Sequence, residues 1–136
     1  MLTSLFWCIV FVMKGEISPM IAVRDARAAM DFYQSVFGAV ECGEIHEWEG
    51  KIGHAELDFG HSKLMISDEF PEYNVSPETL GGTAVLIYLI VDDTDVRFAR
   101  AIEHGATAIQ EPKDEPYGRV AKVRDPFGHV WFLNTH

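Results

Sequence analysis

The chain is poor in several things, and each shortage narrows what it can be. Of its 136 residues only two are cysteine, Cys8 and Cys42. Two cysteines make no disulfide framework, and these two lack the close spacing of a metal knuckle, so a reducing, cytoplasmic setting is expected. Basic residues are also scarce: 11 Lys and Arg against 21 Asp and Glu, for a formal net charge of -10 and a pI near 4.9. Such a field repels a phosphate backbone, and no Lys/Arg cluster interleaved with aromatics offsets it, so nucleic acid is excluded as a partner. Long apolar runs are missing too. Leu5 to Met13 falls short of the ~20 residues that span a bilayer. It also lacks the basic start and small-residue cleavage site of a signal peptide. Residues 1–16 read as an extension with no assigned function, and no membrane partner is expected.

What remains is 48% hydrophobic and 24% charged, the mix of a soluble globular domain. One stretch organises it, Lys51-Ile-Gly-His-Ala-Glu-Leu-Asp-Phe-Gly-His61. A period of two places Ile52, His54, Glu56 and Asp58 on one face and Gly53, Ala55, Leu57 and Phe59 on the other. One face is apolar, while the other gathers titratable groups. A similar strand follows near the C-terminus, with Val120, Lys122 and Arg124 on one side and Ala121 and Val123 on the other.

Taken in order, Ile17 to Val23 reads as a strand and Asp25 opens a helix. Its apolar residues Ala26, Ala29, Met30, Tyr33 and Phe37 recur every three or four positions, and Gly38 ends it. Ala39 to Trp48, the organising strand, and Ser62 to Ser67 complete one βαβββ unit. Asp68 to Gly82, rich in Pro and Gly, is a connector. A second unit follows: a strand over Thr83 to Val91 and a helix from Asp92-Asp93 to Gly105. Strands over Ala106 to Ile109, Gly118 to Arg124 and Val130 to Thr135 complete it, with a loop at Pro112 to Pro116. Val23-Arg24-Asp25 returns as Val91-Asp92-Asp93, and Phe59-Gly60-His61 as Phe127-Gly128-His129, each 68 positions later (91 less 23; 127 less 59). Ordered recurrence of this kind signals duplication. The predicted domain is residues 17–136, with one module over about 17–69, a linker over 70–82 and a second module over about 83–136.

Several motifs together resemble the vicinal oxygen chelate superfamily, the group of glyoxalase I, extradiol dioxygenases and bleomycin-resistance proteins. They are Ala22-Val-Arg-Asp25 with Asp31-Phe-Tyr33 and Phe37-Gly-Ala39, then Gly53-His-Ala-Glu-Leu57, Gly81-Gly82 and Val91-Asp-Asp93. Gly105-Ala106, Tyr117-Gly118 and Asp125-Pro-Phe-Gly-His129 complete the set. The combination looks most like the PhnB-like branch. The resemblance implies an α+β fold of two pseudo-symmetric βαβββ modules curling eight strands into a glyoxalase-like groove, usually in a homodimer. In metal-using relatives the ligands come from the first and last strand of each module. The matching positions here are Ser18, Leu64, Leu86 and Phe132. Leucine and phenylalanine cannot ligate a metal, and one serine hydroxyl is a poor site, so no metal and no cofactor are expected.

The groove is expected to present Ser18, Met20, His54, Glu56, Asp58, Tyr88, Lys122, Arg124, Phe132 and Asn134, with Tyr117 near its mouth. This gives an acidic half, a basic half and aromatic walls suited to an amphipathic guest. Cross-strand ion pairs on a solvated face are the plainer explanation of the same charges. His54 and Glu56 share a face and could act as general bases, or as two ligands of a displaced metal site that lacks an evident third. Structural hydrogen bonding is the commoner explanation of such a pair. His129 reads as a turn cap, Trp131 as core, and His46, His61, His104 and His136 as surface residues. The functional expectation is a metal-independent binder of a small cationic or amphipathic organic molecule, of the bleomycin-resistance kind. A glyoxalase-like lyase, isomerase or transferase using Glu56 or His54 is the alternative.

Overall fold

The computed structural model describes residues 14–136. Most of the N-terminal extension, residues 1–13, lies outside the described residues. Eight strands and three helices follow in the order β1 (Met20–Val23), α1 (Ala26–Phe37), β2 (Val40–Trp48), β3 (Lys51–Asp58), β4 (Lys63–Asp68), α2 (Pro77–Leu80), β5 (Leu86–Ile90), α3 (Thr94–Glu103), β6 (Thr107–Glu115), β7 (Gly118–Arg124) and β8 (Val130–Thr135). They form two four-stranded sheets, ordered β1-β4-β3-β2 and β5-β8-β7-β6. Each sheet opens with a parallel pair, β1 with β4 and β5 with β8, and continues antiparallel. The expected α+β duplication is present. The eight strands divide between two separately hydrogen-bonded sheets and do not close on one another.

Local chemistry starts both long helices the same way. The Asp25 carboxylate accepts from the backbone N–H of Ala28, and Asp93 does so from Val96. Gly38 ends α1 in the left-handed region at φ 75°, returning its N–H to Gln34 and Tyr33 carbonyls. The strand after each helix's partner reaches back to its first turn. Asp68 Oδ1 accepts from Ala26 N at 2.8 Å, and Thr135 Oγ1 accepts from Thr94 N at 3.0 Å. The connector contains α2, a single turn capped by Ser76 with Pro77 at its first position.

The two modules share one core. Phe32, Tyr33 and Phe37 of α1 pack against Phe127 and Trp131 of the second module, with Phe37 and Trp131 ring centroids 4.7 Å apart. Trp131 is a core residue, as expected, and Phe59 stacks on it at 6.0 Å. Such ring pairs contribute ~0.5–1.5 kcal/mol each beyond their buried area. Asp125 lies buried within this cluster, accepting from Tyr33 Oη, Trp131 Nε1 and the backbone N–H groups of Phe127 and His129. Arg97 and Arg100 of α3 donate to the carbonyls of Val36 and Ser35, whose lone pairs are left over at the end of α1.

Three strand positions differ from the alternation read in the sequence. His46 pairs with His54 but Glu47 pairs with Ile52, so Gly53 is an extra residue in β3. This bulge turns Ile52 toward the helices, where it is 2% exposed and donates its N–H to Asp68. Ile52 therefore does not share a face with His54. Val120 is buried instead of standing with exposed groove residues, because it pairs with the buried Asn134. β6 runs through the expected loop to Glu115, and Pro112 is tolerated because β6 is an edge strand.

Candidate functional site

The register of the sheets identifies which residues of the two modules occupy matching places. In the first module Met20 lies beside Met65, and Met65 beside Glu56. In the second, Tyr88 lies beside Phe132, and Phe132 beside Lys122. Directly opposed residues in a sheet share a face. One row is therefore thioether, thioether, carboxylate, and its mate is phenol, phenyl, ammonium. The offset between modules is 68 positions on the first strand (88 less 20), 67 on the last (132 less 65) and 66 on the strand between them (122 less 56). A constant offset of 68 therefore mispairs the last strands. Leu64 is not the mate of Phe132: it opposes Leu57, is 5% exposed and belongs to the core. Met65 holds that place.

In the aromatic row, the Tyr88 and Phe132 rings stack 5.0 Å apart at 19°, with Lys122 Nζ 5.8 Å from the Phe132 centroid. Asn134, fully buried, donates from Nδ2 to the Tyr88 hydroxyl at 2.5 Å and to the Tyr117 carbonyl at 3.4 Å. Its Oδ1 has no hydrogen-bond partner among the described residues and faces Gly118. Asn134 thus fixes the Tyr88 ring from beneath, while half of Tyr88 stays open to solvent.

Tyr88 also lines two cavities between the modules. One, of 560 Å³, runs between β1 and β5 past Met20, Ala22, Val75, Leu80, Leu86 and His129. The other, of 290 Å³, is walled by Pro19, Phe59, Leu64, Ile87 and Trp131. Both are apolar. Exposed Leu86 and Ile90 extend the hydrophobic face along β5.

The remaining expected site residues spread out. His54 and Glu56 stand together, with Nε2 and Oε1 3.4 Å apart and both side chains about a quarter to a third exposed. His46 opposes His54 from β2, with ring centroids 6.0 Å apart, and Cys42 opposes Glu56. Asp58 is engaged in a turn, accepting from Gly60 N at 2.7 Å. Ser18 precedes β1 and lines neither cavity. Tyr117 is exposed on the turn before β7. Arg124 lines a separate hollow with Glu78, Thr107 and Asp125. His129, read from the sequence as a turn cap, is buried, and its Nε2 donates to the Ala22 carbonyl across the module boundary at 2.9 Å. Met65 and the part of His46 were not legible in the sequence, since both depend on register.

The metal positions of metal-using relatives do not fit an ion here. Ser18, Leu86 and Phe132 offer one hydroxyl between them, and neither Leu64 nor Met65 adds an oxygen or nitrogen donor. Among the described residues, no three His, Cys, Asp or Glu side chains converge as they stand on a point that would hold an ion. No described helix is long and apolar enough to cross a membrane.

Residues 16–133 match the Glyoxalase/Bleomycin resistance protein/Dioxygenase superfamily. The chain belongs to that superfamily. Its vicinal oxygen chelate fold is shared with solved structures of several kinds. An uncharacterised protein of Mycobacterium bovis is 41% identical over 125 residues, spanning 88% of this chain and 82% of that one. The crystal structure of TioX from Micromonospora sp. ML1 superposes with a TM-score of 0.68 at 31% identity, covering 90% of this chain and 96% of that one. The fosfomycin resistance protein FosX from Mesorhizobium loti gives a TM-score of 0.66 at 18% identity, covering 92% and 94%, and speaks for the fold alone.

Proposed function

We propose that this superfamily member binds a small amphipathic organic molecule, cationic in part, against its aromatic row, without a metal. The observation that carries the reading is the Tyr88–Phe132 stack, held from below by buried Asn134 and opening onto the apolar cavity between β1 and β5. A planar guest gains contact with rings that are already oriented, so little side-chain freedom is lost on binding. The acidic net charge of -10 draws a cation toward the protein, and Glu56 offers a counter-charge. Absence of nitrogen or oxygen donors at the family's metal positions, apart from Ser18, supports metal independence.

The reading includes a homodimer and a cytoplasmic setting. Met20, Leu86, Tyr88 and Ile90 are each about half exposed beside unpaired strand edges, a face that a second copy would close over a guest held against Tyr88. Titration with ethidium, a planar organic cation, tests the binding. Wild-type protein should bind it and Tyr88→Ala should bind it at least about fivefold more weakly, since one aromatic pair is worth ~0.5–1.5 kcal/mol before lost area is added. Equal binding by both proteins would contradict the reading.

The pairing of His54 with Glu56 in a part-buried position favours one alternative, a lyase, isomerase or transferase in which either acts as base. It predicts turnover of an electrophile such as a hemithioacetal. Loss of turnover in Glu56→Gln with retained ligand affinity would favour the enzyme. Unchanged turnover in both Glu56→Gln and His54→Ala would remove it.

A further inference from the structure

The geometry points to a divalent-cation site on the β2–β3 hairpin, formed by His46, His54 and Glu56, apart from the family's metal positions and from the aromatic row. Three observations carry it. Opposed residues His46 and His54, and Glu56 two positions along β3, lie on one face of the sheet. The His54 Nε2 to Glu56 Oε1 separation of 3.4 Å is long for a charge-assisted hydrogen bond, which prefers ~2.7–2.9 Å. It matches two donors that each lie ~2.0–2.1 Å from one tetrahedral ion, which places them about 3.3 Å apart. The His46 and His54 ring centres, 6.0 Å apart, need to approach to about 5 Å to share such an ion. His46 is exposed, and no hydrogen bond to a described residue holds its ring, so a side-chain rotation on the fast timescale of exposed residues brings it in.

Two imidazoles and one carboxylate select a borderline cation, zinc, nickel or copper(II), over magnesium or calcium. Water completes the coordination, because the hairpin face is open. Glu56 and His54 are only a quarter to a third exposed, so the field they present is less screened than that of a fully solvated pair. The bulge at Gly53 sets the site, since it lets His54 oppose His46 while Ile52 turns into the core.

Zinc titration of the reduced full-length protein by calorimetry at pH 7.5 tests this. One zinc per chain is expected at micromolar affinity, weakened at least about tenfold in His46→Ala and unaffected by magnesium. His104→Ala, at an exposed histidine far along the chain, should leave zinc binding unchanged. Ethidium binding should be unchanged in His46→Ala, so a failure here is separable from a failure of the aromatic-row reading. No zinc binding by wild type, equal binding by His46→Ala, or loss of binding in His104→Ala instead would overturn the site.

Discussion

The Tyr33 hydroxyl donates to Asp125 Oδ2 at 2.5 Å, joining the helix of the first module to the turn of the second. Both groups are buried, and Trp131 Nε1 and two backbone N–H groups supply Asp125's other partners. This carboxylate is the polar centre of an otherwise aromatic junction, and it fixes how the two halves meet.

Removing the donor should therefore weaken the whole fold. Tyr33→Phe keeps the ring packing but leaves a buried carboxylate one hydrogen bond short, a loss of ~1–3 kcal/mol. Urea unfolding should show a single transition moved to lower denaturant with an unchanged slope. A stability equal to wild type would show that the bond contributes nothing.

The same residue sets an alkaline limit. Burial raises the Tyr33 pKa well above 10.0, and the neighbouring Asp125 charge and the hydrogen bond to it push in the same direction. The unfolded chain loses this proton near pH 10 while the folded chain keeps it. Stability from this group is thus complete below about pH 10 and falls as pH rises above it. Thermal melts between pH 9 and 11 should show a steep decline in wild type and a shallower one in Tyr33→Phe. Parallel declines would count against the assignment.

Gly118 presents a test of the support beneath the site. Its φ is 145°, and an added Cβ would lie 2.2 Å from Asn134 Oδ1 and 2.4 Å from the Thr135 carbonyl. Gly118→Ala should cost at least ~1–3 kcal/mol through backbone strain and overlap. It should also weaken ethidium binding, because displacing Asn134 frees Tyr88. Calorimetric melting and the dye titration measure the two effects. Full stability in the variant would show that the backbone moves aside freely.

Much of this architecture is legible in the sequence because its signals are local. Asp25 and Asp93 are helix caps, Gly38 is a left-handed stop, and the repeated Phe-Gly-His turns mark the duplication. The site was less legible because cross-strand neighbours depend on register. The insertion at Gly53 reverses Ile52, and the shift from 68 to 67 positions exchanges Leu64 for Met65. Neither leaves a mark on alternation alone. His129 illustrates a different limit: its bond to Ala22, 107 positions away, is set by how the modules meet.

The acidic and aromatic rows should also separate in their effects on binding. Phe132→Ala removes the ring that Tyr88 stacks on and over which Lys122 lies, so ethidium affinity should fall about as far as in Tyr88→Ala. Glu56→Gln should lower affinity less, and that loss should shrink further as salt is raised. Salt-independent effects of Glu56→Gln would show that it acts by contact and not by charge.

The most direct measurement is the ethidium titration on protein dialysed against EDTA, compared with the same protein given zinc, nickel or manganese. Metal-independent binding at the Tyr88–Phe132 face predicts full binding by the metal-stripped protein and no gain in affinity on adding any of the three ions. Binding that appears only after a metal is restored would contradict it.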